Sequence, residues 1–384
     1  MGTGRRGNQP LTDKMRIQFQ HYRKKINNVT LKDNIAIIIL SAAAILCGCT
    51  KIDNVSSPQR KVSFVVGSYV VNTKAENSLL DESITSFKCK AFLYGAGVNG
   101  VQYFFGTDGE DINWNATAQE WSPALDYYWP NSSESYINFV SYYDNNGTPS
   151  TATETSLAWT GRTIGNTDNI LFADEAWGYR NNTATYLKDG VTGGIPTLFH
   201  HALAQISVKA KASKLTDTDG TTYSITLNSF TLKNVYNVGD LSLTNSQPVQ
   251  TPSCQSWETT GWTISSGATV SDIPSTMTSG QALTLEAATI EGFDNRTVLP
   301  QETSNMQMSL STRIRTTYGT NNYIEETIDF TVNLSDFIGT TSSSWDMNKR
   351  ITYTITIDPS TALIEIVPEM KTWATTPESM ITIE

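Results

Sequence analysis

Apolar and polar residues alternate with period two along much of this chain. Ile328, Phe330, Val332 and Leu334 are interleaved with Asp329, Thr331 and Asn333. Ile351, Tyr353, Ile355 and Ile357 are interleaved with Thr352, Thr354 and Thr356. Ile206, Val208, Ala210 and Ala212 are interleaved with Ser207, Lys209 and Lys211. A β-strand sends successive side chains to opposite faces, so each stretch makes one apolar face that must be covered. Turn-forming clusters separate the stretches: Asp144-Asn145-Asn146-Gly147, Asp217-Thr218-Asp219-Gly220 and Asp358-Pro359. No long stretch beyond the N-terminus has helical periodicity, and no repeat marks a solenoid. The pattern predicts an all-β chain. Its 384 residues are too many for one ordinary β-sandwich and suit two in tandem. A boundary near Gly193-Gly194-Ile195-Pro196 gives sandwiches over 61–196 and 197–384.

The N-terminus reads as an address, with residues 1–48 a signal peptide and 49–60 a linker. A polar, basic segment with Arg23, Lys24 and Lys25 precedes an apolar run from Ile35 to Leu46. That run is shorter than the roughly 20 residues a bilayer-spanning helix needs. Basic flank, short apolar core and small residues make a secretory signal. It ends Leu46-Cys47-Gly48-Cys49, which resembles a bacterial lipobox. Cys49 is then the lipidated residue, and Cys47 leaves with the signal. Acyl chains contribute about 0.8 kcal/mol per buried CH₂, so several together anchor a protein firmly. Lys51 and Asp53 give one acid after Cys49, a weak form of a surface-export signal.

Charge and missing motifs exclude other classes. Residues 1–48 hold eight basic and two acidic groups, so the remainder has 27 − 8 = 19 basic and 37 − 2 = 35 acidic, a net of −16. Such a surface repels phosphate backbones, which excludes a nucleic-acid partner. The only histidines after the signal are His200 and His201, and neighbours on a strand face opposite ways. HExxH, GxSxG, P-loop and Rossmann patterns are missing. The chain is therefore read as no enzyme, with no metal and no cofactor. Asp217-Thr218-Asp219-Gly220 reads as an Asx-rich turn rather than a calcium loop, whose further ligands are missing. Cys89 and Cys254 lie far apart and read as two separate thiols, an interdomain disulfide being the alternative. Trp114, Trp121, Tyr127, Tyr128 and Trp129 read as core in preference to a sugar-stacking platform.

A series of stretches resembles the fimbrillin (type V pilin) family. They are the lipobox at Cys49, Tyr127-Tyr128-Trp129-Pro130 followed by Ile137-Asn138-Phe139, and Ile170-Leu171-Phe172-Ala173. Next come Leu198-Phe199-His200-His201-Ala202-Leu203-Ala204-Gln205-Ile206-Ser207-Val208 and Leu299-Pro300-Gln301. Last are Asn348-Lys349-Arg350-Ile351-Thr352-Tyr353-Thr354-Ile355 and Trp373. No single stretch is specific; their order along the mature chain is. The resemblance implies two transthyretin-like, Greek-key sandwiches and export as an outer-membrane lipoprotein. It also implies proteolytic removal of a first strand and head-to-tail polymerisation with other pilin subunits into a surface fimbria that supports adhesion to a host or bacterial ligand.

The parts needed for that scheme are visible. Val62, Phe64 and Val66 alternate with Lys61, Ser63 and Val65, and Tyr69 and Val71 continue the pattern after Gly67. Residues 61–72 are thus a removable strand, or else an ordinary first strand that stays in place. The loop Asn72-Thr73-Lys74-Ala75 offers Lys74 for cleavage, ahead of Arg60, which precedes the strand and would not release it. Family members cut after arginine depart from this chain here, and an unprocessed anchor subunit is the alternative. Ser379-Met380-Ile381-Thr382-Ile383-Glu384 is the expected donor strand, with Met380, Ile381 and Ile383 as its apolar residues, or else a final strand of its own sandwich. The competing function is a glycan- or host-binding surface lipoprotein that never polymerises.

Overall fold

The computed structural model describes residues 61–68, 84–95, 98, 100–180, 194–246, 250–320, 322–336 and 343–373. The alternation does what it predicts. Among these residues the only helical element is one 3₁₀ turn, Leu334–Asp336, and the rest of the regular structure is strand.

The first half builds a closed ring of seven strands. In spatial order they are Tyr136–Asp144, Ile170–Ala173, Ile195–His201, Phe64–Ser68, Glu120–Pro123, Glu110–Asn115 and Ser86–Tyr94. Ser86–Tyr94 pairs back onto Tyr136–Asp144, with Lys88 opposite Tyr142 and Tyr94 opposite Tyr136. The ring is filled by aromatics, including Phe64, Phe87, Trp121, Phe139 and Phe199. These side chains are large enough for a handful of them to fill a ring of this size.

The second half is a sandwich of two sheets. One holds Ala204–Ala212, Lys349–Asp358 and Leu363–Thr372. The other holds Val270–Pro274, Thr222–Tyr236, Gln307–Tyr318 and Asn322–Asn333. Ile206, Val208, Ala210 and Ala212 all point into the core between them, together with Ile351, Tyr353, Ile355 and Ile357. Ala204–Ala212 and Lys349–Asp358 run parallel in register from Gln205–Arg350 to Ala212–Ile357. Sequence-distant parallel strands of this kind need a long crossover, here the whole intervening chain.

A third cluster draws on both halves: Phe92, Tyr142 and Trp159 from the first, Leu241, Trp262, Leu299 and Trp373 from the second. The chain passes from ring to sandwich through it, at Ala202-Leu203, both fully buried. The backbone of this crossing is held on several sides. Ala202 N–H donates to the Ile170 carbonyl, Trp262 Nε1 donates to the Ala202 carbonyl at 2.6 Å, and Asn348 N–H donates to the Leu203 carbonyl. Beside it, His201 lies flat under Trp373, centroids 3.8 Å apart and planes 7° apart. Its Nδ1 lies 3.2 Å from Asn169 Oδ1. Burial, with Arg350 and His200 nearby, pushes the His201 pKa down to about 3.

Candidate assembly site at the leading strand

Phe64–Ser68 occupies an interior position in the ring rather than an edge. On one side it runs parallel to Ile195–His201, with Phe64 opposite Ile195 and Ser68 opposite Phe199. On the other it meets Glu120–Pro123 through one antiparallel pair, Phe64 with Trp121. Just before the strand, Val62 N–H donates to the Tyr127 carbonyl at 2.9 Å and Lys61 bridges to Asp126. Ile195 N–H donates to the Ser63 carbonyl at 2.8 Å.

Alternation decides which side chains enter the ring. Val62, Phe64 and Val66 do, and none is more than 2% exposed. The Phe64 ring packs edge-on against Phe87 and Phe139, centroids 5.9 and 5.7 Å away. Each such apolar side chain contributes about 1.5–3 kcal/mol when fully buried. Val65, on the opposite face, is also buried, at 3%. Gly194 lies close against it. A Cβ on Gly194 would stand 2.7 Å from Val65 Cγ2 and 2.9 Å from the Phe64 carbonyl carbon. The leading strand is thus gripped on both faces.

Of the residues singled out from the sequence, Val62, Phe64 and Val66 are brought together in this slot. Tyr69, Val71, Lys74, Arg60, Cys49, Met380, Ile381 and Ile383 lie outside the described residues. Trp121 and Trp129 are buried in the ring and Trp114 packs against the same cluster, while Tyr128 is exposed. His200 and His201 do face opposite ways. His200 Nε2 lies 3.0 Å from Asp174 Oδ1 and its ring stacks on Phe172, whereas His201 is under Trp373. Asp217 is engaged within its own turn, accepting from Lys214 and Tyr223, and Asp219 accepts from the Thr221 amide. Cys89 and Cys254 are both free thiols. Sequence reasoning missed Gly194 as a contact and Trp121 as the pairing partner of Phe64 on the adjacent strand. A Gly-Gly pair beside a predicted strand was the one available signal for the first.

The fimbrillin-like family model matches residues 91–373, from inside the strand Ser86–Tyr94 to Trp373, and the chain belongs to that family. Among solved structures it is similar to a fimbrial protein from Bacteroides vulgatus, at 15% identity and a TM-score of 0.49, covering 82% of this chain and 99% of that one. A candidate cell adhesion protein from Bacteroides uniformis is similar at 16% identity and a TM-score of 0.43, covering 82% of this chain and 98% of that one. A search of curated proteins found no match. Family membership implies a fimbrial or adhesive role at the cell surface, structural rather than enzymatic, in association with other subunits of the same kind.

Proposed function

We propose that this chain is exported as a lipoprotein through Cys49 to the outer membrane and polymerises into a fimbria by donor-strand exchange. In this reading the chain has two β-domains, the ring with its leading strand and the sandwich that follows, with the passage between them at Ala202-Leu203. The observation that carries the reading is the position of Phe64–Ser68 between two other strands of a closed ring, with Val62, Phe64 and Val66 in its core. Cleavage at Lys74 frees residues 61–72 to leave. Their departure opens the ring between Ile195–His201 and Glu120–Pro123. It unpairs the backbone groups that face Phe64–Ser68 and uncovers Phe87 and Phe139. Exposed aromatics are costly in water, and the unpaired N–H and C=O groups beside them are a template for another strand. A strand from a second copy, residues 379–384 with Met380, Ile381 and Ile383, fills the slot with ladder hydrogen bonds and alternate apolar side chains. Each copy then gives one strand and receives another, a head-to-tail contact that grows an open fibre.

The test is polymerisation in vitro. Limited proteolysis near Lys74 is expected to yield SDS-resistant ladders. Lys74→Ala is expected to block them, and so is deletion of Ser379–Glu384. Ladders that survive both changes sink the mechanism.

A further inference from the structure

The sandwich of the second half is closed along one side and open along the other. Gln281–Ala282 pairs with Thr222–Tyr236, while Ala288–Thr289 and Arg296–Val298 pair with Ala204–Ala212. The chain between them bridges the two sheets there. On the opposite side each sheet ends, among the described residues, in a strand with one free edge: Leu363–Thr372 in one and Asn322–Asn333 in the other.

The two edges differ. Leu363–Thr372 contains Pro368, which has no N–H to offer a further strand. Asn322–Asn333 is 12 residues long, has no proline and no lysine, and pairs with Gln307–Tyr318 without a register shift. A long, regular, unblocked edge is a template for another strand. Its inward row is incompletely covered. Ile328, Phe330 and Val332, opposite the buried Thr312, Leu310 and Met308, pack against the core but stay partly exposed, and Ile324 is 53% exposed.

The same strand carries Glu325, Glu326 and Asp329 and no basic residue. None of the three forms an ion pair among the described residues. Arg315 is directly across from Glu325, but its guanidinium lies over the Tyr323 ring, 3.7 Å from the centre.

We propose that Asn322–Asn333 is a docking edge for an extended segment of a partner polypeptide in which basic and apolar residues alternate. Ladder hydrogen bonds to the free edge hold the segment, and alternate side chains select it. Its apolar residues lie beside Ile328, Phe330 and Val332 and extend the inward row. Its basic residues share the other face with Glu325 and Asp329, at the roughly 5 Å spacing of directly opposed cross-strand pairs. Glu326 points inward, opposite Ile314, and an inward charge on an edge turns away an all-apolar strand. The same edge of a second copy would set acids against acids. Residues 379–384 of this chain end in Glu384 and contain no base, so charge does not select them either. The inference does not depend on strand exchange in the ring, which uses other strands.

The test is calorimetric titration of the full chain with a short peptide of alternating lysine and valine, joined to hydrogen exchange. Saturable binding is expected, at least tenfold tighter than that of an alternating glutamate–valine peptide. It should also be at least tenfold tighter than that of a peptide of the same composition with lysines and valines in two blocks. Added salt is expected to weaken it. Exchange should slow at alternate amides of 322–333. The double variant Glu325→Lys, Asp329→Lys changes only exposed side chains and is expected to weaken binding at least tenfold at unchanged melting temperature. No binding at millimolar concentration overturns the proposal. So does equal binding of the block peptide, protection confined to other strands, or unchanged affinity in the double variant. Self-association of the chain that sedimentation shows to be lost in the double variant assigns the edge to a second copy and overturns it too.

Discussion

His201 and Trp373 are stacked ring on ring at 3.8 Å, joining the end of the strand Ile195–His201 to the last residue before the segment 374–384. Trp373 is 6% exposed, and its amide donates to the Asn348 carbonyl at 2.8 Å. Trp373→Ala is expected to cost about 3–5 kcal/mol, the usual range for deleting a large buried aromatic. Urea unfolding followed by circular dichroism measures it.

His201 itself sets a pH dependence. Its folded pKa of about 3 lies below the unfolded value of 6.5, so the unfolded chain binds the proton first. The contribution to stability is full above pH 6.5 and is lost as pH falls towards 3. Melting temperature measured from pH 7 to 4 is expected to fall, and less steeply in His201→Gln.

Glu175 acts in the opposite direction. It is fully buried; its Oε2 accepts from Asn245 Nδ2 and its Oε1 has no partner. Burial pushes its pKa up to about 9, from 4.5. A raised carboxyl pKa gives stability that is full below 4.5 and is lost as pH rises to 9. Glu175→Gln has no proton to lose and is expected to stabilise the chain at pH 8 by about 1–3 kcal/mol, the free energy that one or two pH units of linkage carry. Unfolding curves at pH 5 and 8 check it; an equal effect at both refutes it.

Gly194→Ala places a methyl group against the Val65 side chain and the Phe64 backbone. Overpacking of this kind typically costs about 1–3 kcal/mol. The loss is expected to concentrate in the leading strand. Hydrogen exchange should quicken at Val65 and Val66 while Ile206 and Val208 keep their protection.

Arg162 sits between Asp144 and Asp168, whose side chains are 1% and 5% exposed. Trp159 Nε1 also donates to Asp144. Arg162→Met leaves two buried carboxylates without their cation and is expected to cost about 3–5 kcal/mol. Adding Asp144→Asn should recover some of the loss, which a double-mutant cycle measures.

Strands with one buried face were legible in the sequence because period two is a local signal. Ile206 to Ala212 and Ile351 to Ile357 were read from it, as was the inward row Val62, Phe64 and Val66. Val65 was read as outward-facing, which holds for direction but not for burial. Gly194 and Pro196, far along the chain, lie beside it, and no local pattern announces that. The parallel partnership of Phe64–Ser68 with Ile195–His201 was equally hidden, since hydrophobic patterning says which face is inward and not which strand lies alongside. The neighbourhood of Gln205 was illegible for the same reason. Gln205, Thr297 and Arg350 lie abreast only because three strands from distant regions of the chain pair side by side.

The parallel, in-register run from Phe64–Ile195 to Ser68–Phe199 has a mechanical meaning. A pull directed lengthwise on one of two such strands loads every rung of the ladder together, in shear, instead of opening them one after another like a zip. A filament whose joints place a strand in that slot resists tension as a set of rungs. Flow or host movement would then have to break them all at once to separate adjacent subunits.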